Sequence, residues 1–382
     1  MDTLALGVAS RLDHLRARLL RFFLRSRWLR DLFRSRPRRL FVLFVLFECV
    51  ALALTAVIPL WQLLLGPLLF GFAHLVSSLR YFHVGLSAPR QVADRALQGR
   101  AFRTLAVASG LYTLWRIARS RTLSGEVAAR LSEFEGAWLL DGAFVLFVLV
   151  AGARLYGKRP GRIGLGLLVA APLLWGFATA PRLTIGVLAL AHNFVGFLYW
   201  IALATRPRER QVAVAALVVF TAISAALFAG VLTPVTTAFG SWADPGVGGV
   251  STRSIGRLVA PGLGSDWWMP ATAAFAFGQS THYFVWLKAI PDQAHTSEVP
   301  ASFQQGLRLL RADFGALATR IILGVAVGGG LLWLFIGFET ARVLYFALAG
   351  FHGYLELAGL GLLHARRSAV VASPNPASRR PA

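Results

Sequence analysis

Long apolar segments recur along the whole chain, and each is long enough to cross a lipid bilayer. Runs of about 18 to 24 mostly apolar residues match helices that span a hydrocarbon core roughly 30 Å thick. Hydrophobic residues make up 56% of the 382 residues. The runs are continuous rather than alternating, which disfavours a β-barrel. We therefore predict an all-α, polytopic transmembrane helical bundle.

About ten spans are predicted, and the charges between them set their orientation. The spans are residues 40–58, 61–84, 102–118, 137–153, 163–180, 183–204, 212–233, 267–289, 316–337 and 342–363. Arginine-rich connections such as 154–162 and 205–211 follow alternate spans, so these connections and both termini are predicted to be cytoplasmic. This pattern predicts a multi-pass protein of a bacterial-type inner (plasma) membrane. The longest outer connection, 234–266, is either a cap over the outer face or a slack loop.

Positive charge is concentrated before the first span and at span ends. The formal net charge is +22, but because arginines flank apolar segments, anionic lipids at the cytoplasmic surface are predicted partners and nucleic acid is not. Residues 1–39 are predicted to be a basic amphipathic cytoplasmic segment, with an amphipathic surface helix from about residue 9. A solvated basic tail that only sets orientation is the alternative. Residues 40–365 form the predicted transmembrane domain, and 366–382 a disordered cytoplasmic tail.

Four histidines lie near the middle of four separate apolar segments. They are His74, His192, His282 and His352. An unpartnered polar group in hydrocarbon costs several kcal/mol, so an ionisable residue there is a candidate functional site. The predicted topology puts all four on helices that run in the same direction, at similar depth. Since imidazole nitrogens suit Fe, Zn, Cu or Ni, we predict that the four bind one metal ion. The structural alternative is that each histidine bonds a nearby serine or backbone carbonyl.

Two further side chains are candidates for catalytic roles. Glu356 follows His352 by one helical turn and could fix the ring tautomer, act as a fifth ligand or carry protons. Tyr283 directly follows His282. The chain lacks the G-x-S-x-G, H-E-x-x-H, P-loop and C-x-x-C motifs, which removes the enzyme classes that depend on them.

Four short motifs carry the histidines and resemble a known family. The motifs are GFAHLVSSLRY, LALAHNFVGF, FGQSTHYFVWLK and ALAGFHGYLEL. Their order and context are similar to the bacteriorhodopsin-related Brp/Blh family of membrane carotene dioxygenases. The resemblance implies that His74, His192, His282 and His352 hold a non-haem iron. It also implies O2-dependent cleavage of the central double bond of β-carotene to give retinal. The family's third motif usually has a second histidine four residues earlier, where this chain has Gly278.

Three functional hypotheses follow from these patterns. The first is a metal-dependent membrane oxidoreductase, with Fe(II) on four histidines, O2 as co-substrate and a lipophilic substrate that arrives from the bilayer. The second is a membrane electron-transfer protein with haem b on histidine pairs. The third is a transporter or other non-catalytic membrane protein whose histidines are packed or relay protons.

Overall fold

The structure is a computed structural model. It describes residues 2–23, 25–87, 171–239, 251–295 and 298–337, together with single positions and short pieces between 107 and 115 and between 340 and 356. Every element named within these ranges is helical, which confirms the all-α prediction for this part of the chain.

The helices of the N-terminal part are α1 Asp2–Phe23, α2 Arg27–Arg34, α3 Arg36–Val57, α4 Pro59–Gly66 and α5 Phe72–Ser87. The later helices are α6 Pro181–Leu203, α7 Pro207–Phe228, α8 Thr233–Ala238, α9 Thr252–Val259, α10 Trp268–Phe284, α11 Ile290–Ala294, α12 Phe303–Phe314, α13 Ala316–Leu331 and α14 Trp333–Ile336. Two π-helical segments, Pro67–Gly71 and Val285–Ala289, join α4 to α5 and α10 to α11 without a break.

Four of the described helical stretches are long and apolar enough to cross a membrane. They are Arg36–Val57, Pro59–Tyr81, Gly186–Leu203 and Pro207–Phe228. A shorter apolar helix covers Ala316–Gly329. The chain is also helical throughout the predicted span 267–289, although this stretch is not among the four. The predicted spans 102–118, 137–153 and 342–363 lie largely outside the described residues, as does the tail 366–382, so the count of ten is not confirmed.

Aromatic side chains fill the core between α3, α6, α7 and α10. Phe197 stacks on Phe220 with ring centroids 4.9 Å apart, and Phe220 stacks on Phe277 at 5.8 Å. Trp286, in the second π-helical segment, is completely buried beside them. Large rings bury much apolar area and have few torsions to fix, so this core holds the four helices in fixed relative positions.

Buried ion pairs join the basic ends of these helices. The Arg39 guanidinium donates to both carboxylate oxygens of Asp292, at 3.0 and 3.1 Å. Arg36 pairs with Glu209 at 3.3 Å, and the same carboxylate accepts from Gln293 at 2.9 Å. We call these five side chains the basic-end network. Arg36 and Arg39 lie inside α3, so the first long helix begins at Arg36 rather than at the predicted residue 40.

The N-terminal basic segment is helical and contacts the rest of the protein. The Asp13 carboxylate accepts the backbone N–H groups of Phe303 and Gln304, at 2.8 and 3.0 Å, at the start of α12. Arg16 donates to the carbonyl of Ala301 at 2.6 Å. The prediction of a helix here is therefore confirmed, although it begins at Asp2 and is followed by a second helix, α2. Its position relative to a bilayer stays a prediction.

The described part of the 234–266 connection is folded rather than slack. It contains α8 and α9, and in α9 the Ser251 side chain accepts the backbone N–H of Ser254 as an N-cap. Ile255 and Val259 pack on the same cluster as Leu60 of α4. The described residues of this connection therefore do not form a slack loop, and the prediction that the connection caps the outer face stays a prediction.

Candidate metal centre

Five side chains from four separate parts of the chain meet at one point inside the protein, three of them buried and two partly buried. They are His74, His192, His282, His352 and Glu356. Each offers one nitrogen or oxygen atom, and these atoms all lie within 4.8 Å of one another. We call this group the histidine cluster. The four histidines that the sequence singled out, and the glutamate one turn after the last of them, are thus brought together.

The shortest contacts in the cluster are between potential ligand atoms. Nε2 of His74 lies 2.9 Å from Nε2 of His282. One carboxylate oxygen of Glu356 is 3.4 Å from His74 Nε2, and the other is 3.3 Å from His192 Nδ1. The ring of His352 is 4.9 Å from that of His74 and 4.7 Å from that of His192, measured between centroids. The polar atoms therefore point toward a common centre.

The two π-helical segments stand next to the cluster and help to orient two of its members. Pro67 opens the first segment, and since proline has no N–H to donate to the preceding turn, an ordinary α-helix is disfavoured there. The segment ends at Gly71, one turn before His74. The second segment begins directly after Tyr283 and Phe284. π-helical turns inside α-helices occur frequently at functional sites, which fits their position here.

Two glycines leave the space that the cluster needs. A Cβ atom on Gly353 would lie 3.1 Å from Nδ1 of His192. A Cβ on Gly278 would lie 2.8 Å from the Asn193 amide nitrogen, which donates to the Ala189 carbonyl. Position 278 is where the Brp/Blh motif usually has a second histidine. In this chain Asn193 occupies the space that such a side chain would need.

Tyr283 lies beside the cluster but is not a member of it. Its ring is 5.5 Å from the ring of His74, and its hydroxyl accepts a hydrogen bond from Gln279 at 3.0 Å. Trp286, one turn after His282, packs against both imidazoles, with centroids 6.0 Å from His74 and 6.3 Å from His282. Sequence reasoning did not single out Trp286, although its spacing of four from His282 places it on the same helix face.

Two serines follow His74 on the next helical turn, and both form hydrogen bonds with other groups. Ser77 donates to the Trp286 carbonyl at 2.6 Å, and Ser78 donates to the Leu75 carbonyl at 3.1 Å. The first bond ties the helix that carries His74 to the second π-helical segment, and the second lies within that helix. The simple alternative, in which each histidine bonds a neighbouring serine, is therefore not supported for His74.

The donor atoms of the cluster fit a transition-metal ion. Both carboxylate oxygens of Glu356 and Nδ1 of His192 are buried and have no hydrogen bond among the described residues. Metal bonds of about 2.0–2.2 Å put ligand atoms roughly 3 to 4.4 Å apart, so small side-chain movements bring this set onto one ion. Imidazoles with one carboxylate suit Fe, Zn, Cu or Ni better than Mg or Ca. The cluster could therefore hold a metal ion, whose identity the geometry leaves open.

Comparisons with known proteins add no family assignment. No family model, curated protein or solved structure matches this chain. The Brp/Blh resemblance thus rests on the four histidine motifs alone.

Proposed function

We propose that the protein is an integral membrane metalloprotein, with one transition-metal ion held by the histidine cluster. The observation that carries this proposal is the convergence of one ligand atom from each of five buried or partly buried residues within 4.8 Å. Polar side chains buried in an apolar bundle are costly unless they are paired or bind an ion. A cation at this point would satisfy the Glu356 carboxylate and the imidazole nitrogens together.

We further propose that the metal is Fe(II) and that the protein is an oxidoreductase of the dioxygenase type that the resemblance implies. When bound, iron would supply O2-dependent oxidation of a lipophilic substrate, with carotenoid cleavage as the reaction suggested by the Brp/Blh motifs. Support for iron comes from the nitrogen-rich ligand set with one carboxylate. Support for a lipophilic substrate comes from the location of the cluster among helices apolar enough to lie in a membrane.

The protein's own residues have separable roles in this proposal. His74, His192, His282 and His352 hold the ion, and Glu356 supplies the negative charge that offsets part of the charge of the metal. Tyr283 and Trp286 pack against His74 and act as positioning residues that keep its ring in place. Trp286 and the aromatic core behind it also exclude water, which protects a reactive centre from side reactions.

The geometry favours a single ion over haem b. The rings of His192, His282 and His352 are close neighbours, with centroids 4.3 Å apart for the first two and 4.7 Å for the first and third. A haem needs a planar macrocycle between its two axial ligands. Four imidazoles packed this closely leave no gap for such a plane, so haem b is the weaker proposal.

Metal analysis of the purified protein in detergent tests the proposal. The full chain is expressed in iron-supplemented medium, and its metal content and optical spectrum are measured together. We expect close to one iron per chain without the Soret band of haem. The His282→Ala variant should lose most of the metal, while the His14→Ala variant, which alters a histidine on α1 outside the cluster, should retain it.

Each other outcome has a defined meaning. A Soret band would overturn the single-ion proposal in favour of haem b. No stoichiometric metal in the folded wild-type protein would favour a transporter or other non-catalytic role. Stoichiometric zinc without iron would keep the metal centre and reject the oxidoreductase. Size-exclusion profiles that match the wild type separate lost metal from lost folding.

A further inference from the structure

A large, mostly apolar cavity lies beneath the N-terminal helices, and its lining includes none of the five cluster residues. Its volume is about 1530 Å³, above the roughly 300–1,000 Å³ typical of small-molecule sites. It is partly open, and it is bordered by α1 and α2 on one side and by α5, α12 and α13 on the other. A cavity of this size suits a ligand with long hydrocarbon chains.

The lining contains both apolar and basic side chains. Leu43, Val76 and Val327 line the part formed by the long apolar helices. Arg30 and Arg34 line the part formed by α2, which precedes the first long helix. An apolar chamber with a cationic end matches the two parts of a membrane lipid, a hydrocarbon tail and a polar headgroup.

The charge balance at the basic end favours an anion. Four of the cations in the lining have carboxylate partners: Arg39 and Lys288 with Asp292, Arg80 with Asp313, and Arg16 with Asp13. Arg30 and Arg34 lie one helical turn apart on α2 and have no carboxylate partner within the described part of the chain. Two adjacent guanidinium groups are well suited to a phosphate group, which accepts their paired N–H donors.

We propose that this cavity binds a membrane phospholipid with an anionic headgroup. The phosphate contacts Arg30 and Arg34, and the acyl chains fill the space bordered by Leu43, Val76 and Val327. None of the five cluster residues lines the cavity, so the proposal holds whether or not the cluster binds metal. The lipid would fasten α1 and α2 to the helical bundle.

Lipid binding to the delipidated full-length protein tests this assignment. The probes are phosphatidylglycerol, phosphatidylcholine and oleate, each added at the same concentration and counted by native mass spectrometry. We expect about one phosphatidylglycerol per wild-type chain and much weaker binding of phosphatidylcholine. The Arg30→Gln/Arg34→Gln variant should bind phosphatidylglycerol roughly ten- to thirtyfold more weakly. The matched control, Arg11→Gln/Arg18→Gln, removes equal charge from exposed positions of α1 outside the cavity and should bind like the wild type.

A second variant tests the hydrocarbon end. Gly324 lines the cavity, and a Cβ added there meets no atom within 4 Å, so Gly324→Leu fills space without a clash. We expect it to reduce phosphatidylglycerol binding severalfold, whereas Gly7→Leu, on α1 outside the lining, should not. Equal binding of the two phospholipids would overturn the proposal, as would unchanged binding by Gly324→Leu or by the double arginine variant. Oleate binding without phosphatidylglycerol binding would assign the cavity to free fatty acids instead.

Discussion

Two regions of this protein bury polar or charged side chains, and they stabilise those side chains in different ways. In the basic-end network each charge has an opposite partner: Arg39 faces Asp292, and Arg36 faces Glu209. In the histidine cluster the ion-pair contacts of Glu356 are to imidazoles, which carry a charge only when protonated. In the first region the opposite charges balance each other without a ligand. The second region places imidazole nitrogens and carboxylate oxygens around one point. A bound cation would stabilise this arrangement.

The largest effect is expected from breaking the basic-end network. Asp292→Ala leaves the Arg39 guanidinium buried without its carboxylate, which should cost about 3–5 kcal/mol of unfolding free energy. Unfolding in detergent, followed by circular dichroism, measures the loss. The Arg39→Met/Asp292→Leu variant should recover most of it, because neither charge then remains buried. If Asp292→Ala lowers the free energy of unfolding by less than about 1 kcal/mol, groups outside the network must balance the charge of Arg39.

The Glu356→Gln variant tests the histidine cluster, the second of the two regions. The substitution keeps the shape of the side chain and removes its charge, so metal affinity should fall about 10- to 100-fold. The apo protein should be no less stable than the wild type, since a buried carboxylate without hydrogen bonds has been removed. Metal titration and thermal unfolding measure the two quantities. Glu48→Gln, a buried carboxylate outside the cluster, is the matched control and should leave metal affinity unchanged.

A smaller effect is expected from the packing behind His192. Gly278→Ala places a Cβ atom 2.8 Å from the Asn193 amide nitrogen. The amide can turn aside, so we expect a cost of about 1 kcal/mol, at the low end for overpacking, with a measurable loss of metal affinity. Gly324→Ala, where nothing lies within 4 Å, is the control. If both variants behave like the wild type, the fit between Asn193 and Gly278 does not position His192.

The smallest effect is expected at the surface, where Glu298 pairs with Arg206. Burial alone raises the pKa of Glu298, but the hydrogen bonds from Arg206 and from the Arg36 backbone hold this pKa below its usual value. The folded state thus binds the proton less tightly. The stabilisation is complete above the unfolded pKa, near 4.3, and is lost as pH falls through the lower folded value.

Comparison of Glu298→Gln with the wild type at pH 7 and pH 3 measures this contribution. Because the pair is exposed, the wild type and Glu298→Gln should differ in free energy of unfolding by less than about 1 kcal/mol at pH 7. This difference should vanish at low pH. An equal difference at both pH values would mean that charge is not its cause.

Much of the fold and the cluster could be predicted from local patterns. Apolar runs predicted the long helices, and the spacing of four between His352 and Glu356 predicted that both face the same way. Local sequence patterns do not show which distant segments come into contact. The N-terminal segment gave no sign that Asp13 would accept the backbone N–H groups of α12. The fit of Asn193 against Gly278 likewise depends on two helices that meet only in the folded protein.

The π-helical segments were also missed, because a sequence pattern records residue types and not where a turn widens. Pro67 is a local signal for the first segment, since it breaks the regular hydrogen bonding of a helix. Val285–Ala289 has no comparable residue. The widened turn there depends on how α10 and α11 pack against the rest of the bundle.

These segments determine where the length of the helices can vary. A π-helical turn holds one residue more than the α-helical turn it replaces, and each residue turns an α-helix by about 100°. Deletion of one residue from Pro67–Gly71 would close the wide turn to a regular one and leave His74 at nearly the same angle relative to α4. Deletion of one residue from the regular turns of α4 would instead rotate His74 by about 100° relative to the start of that helix. Chains of this kind should therefore tolerate the loss of one residue at these two internal turns better than in the regular helical turns beside them.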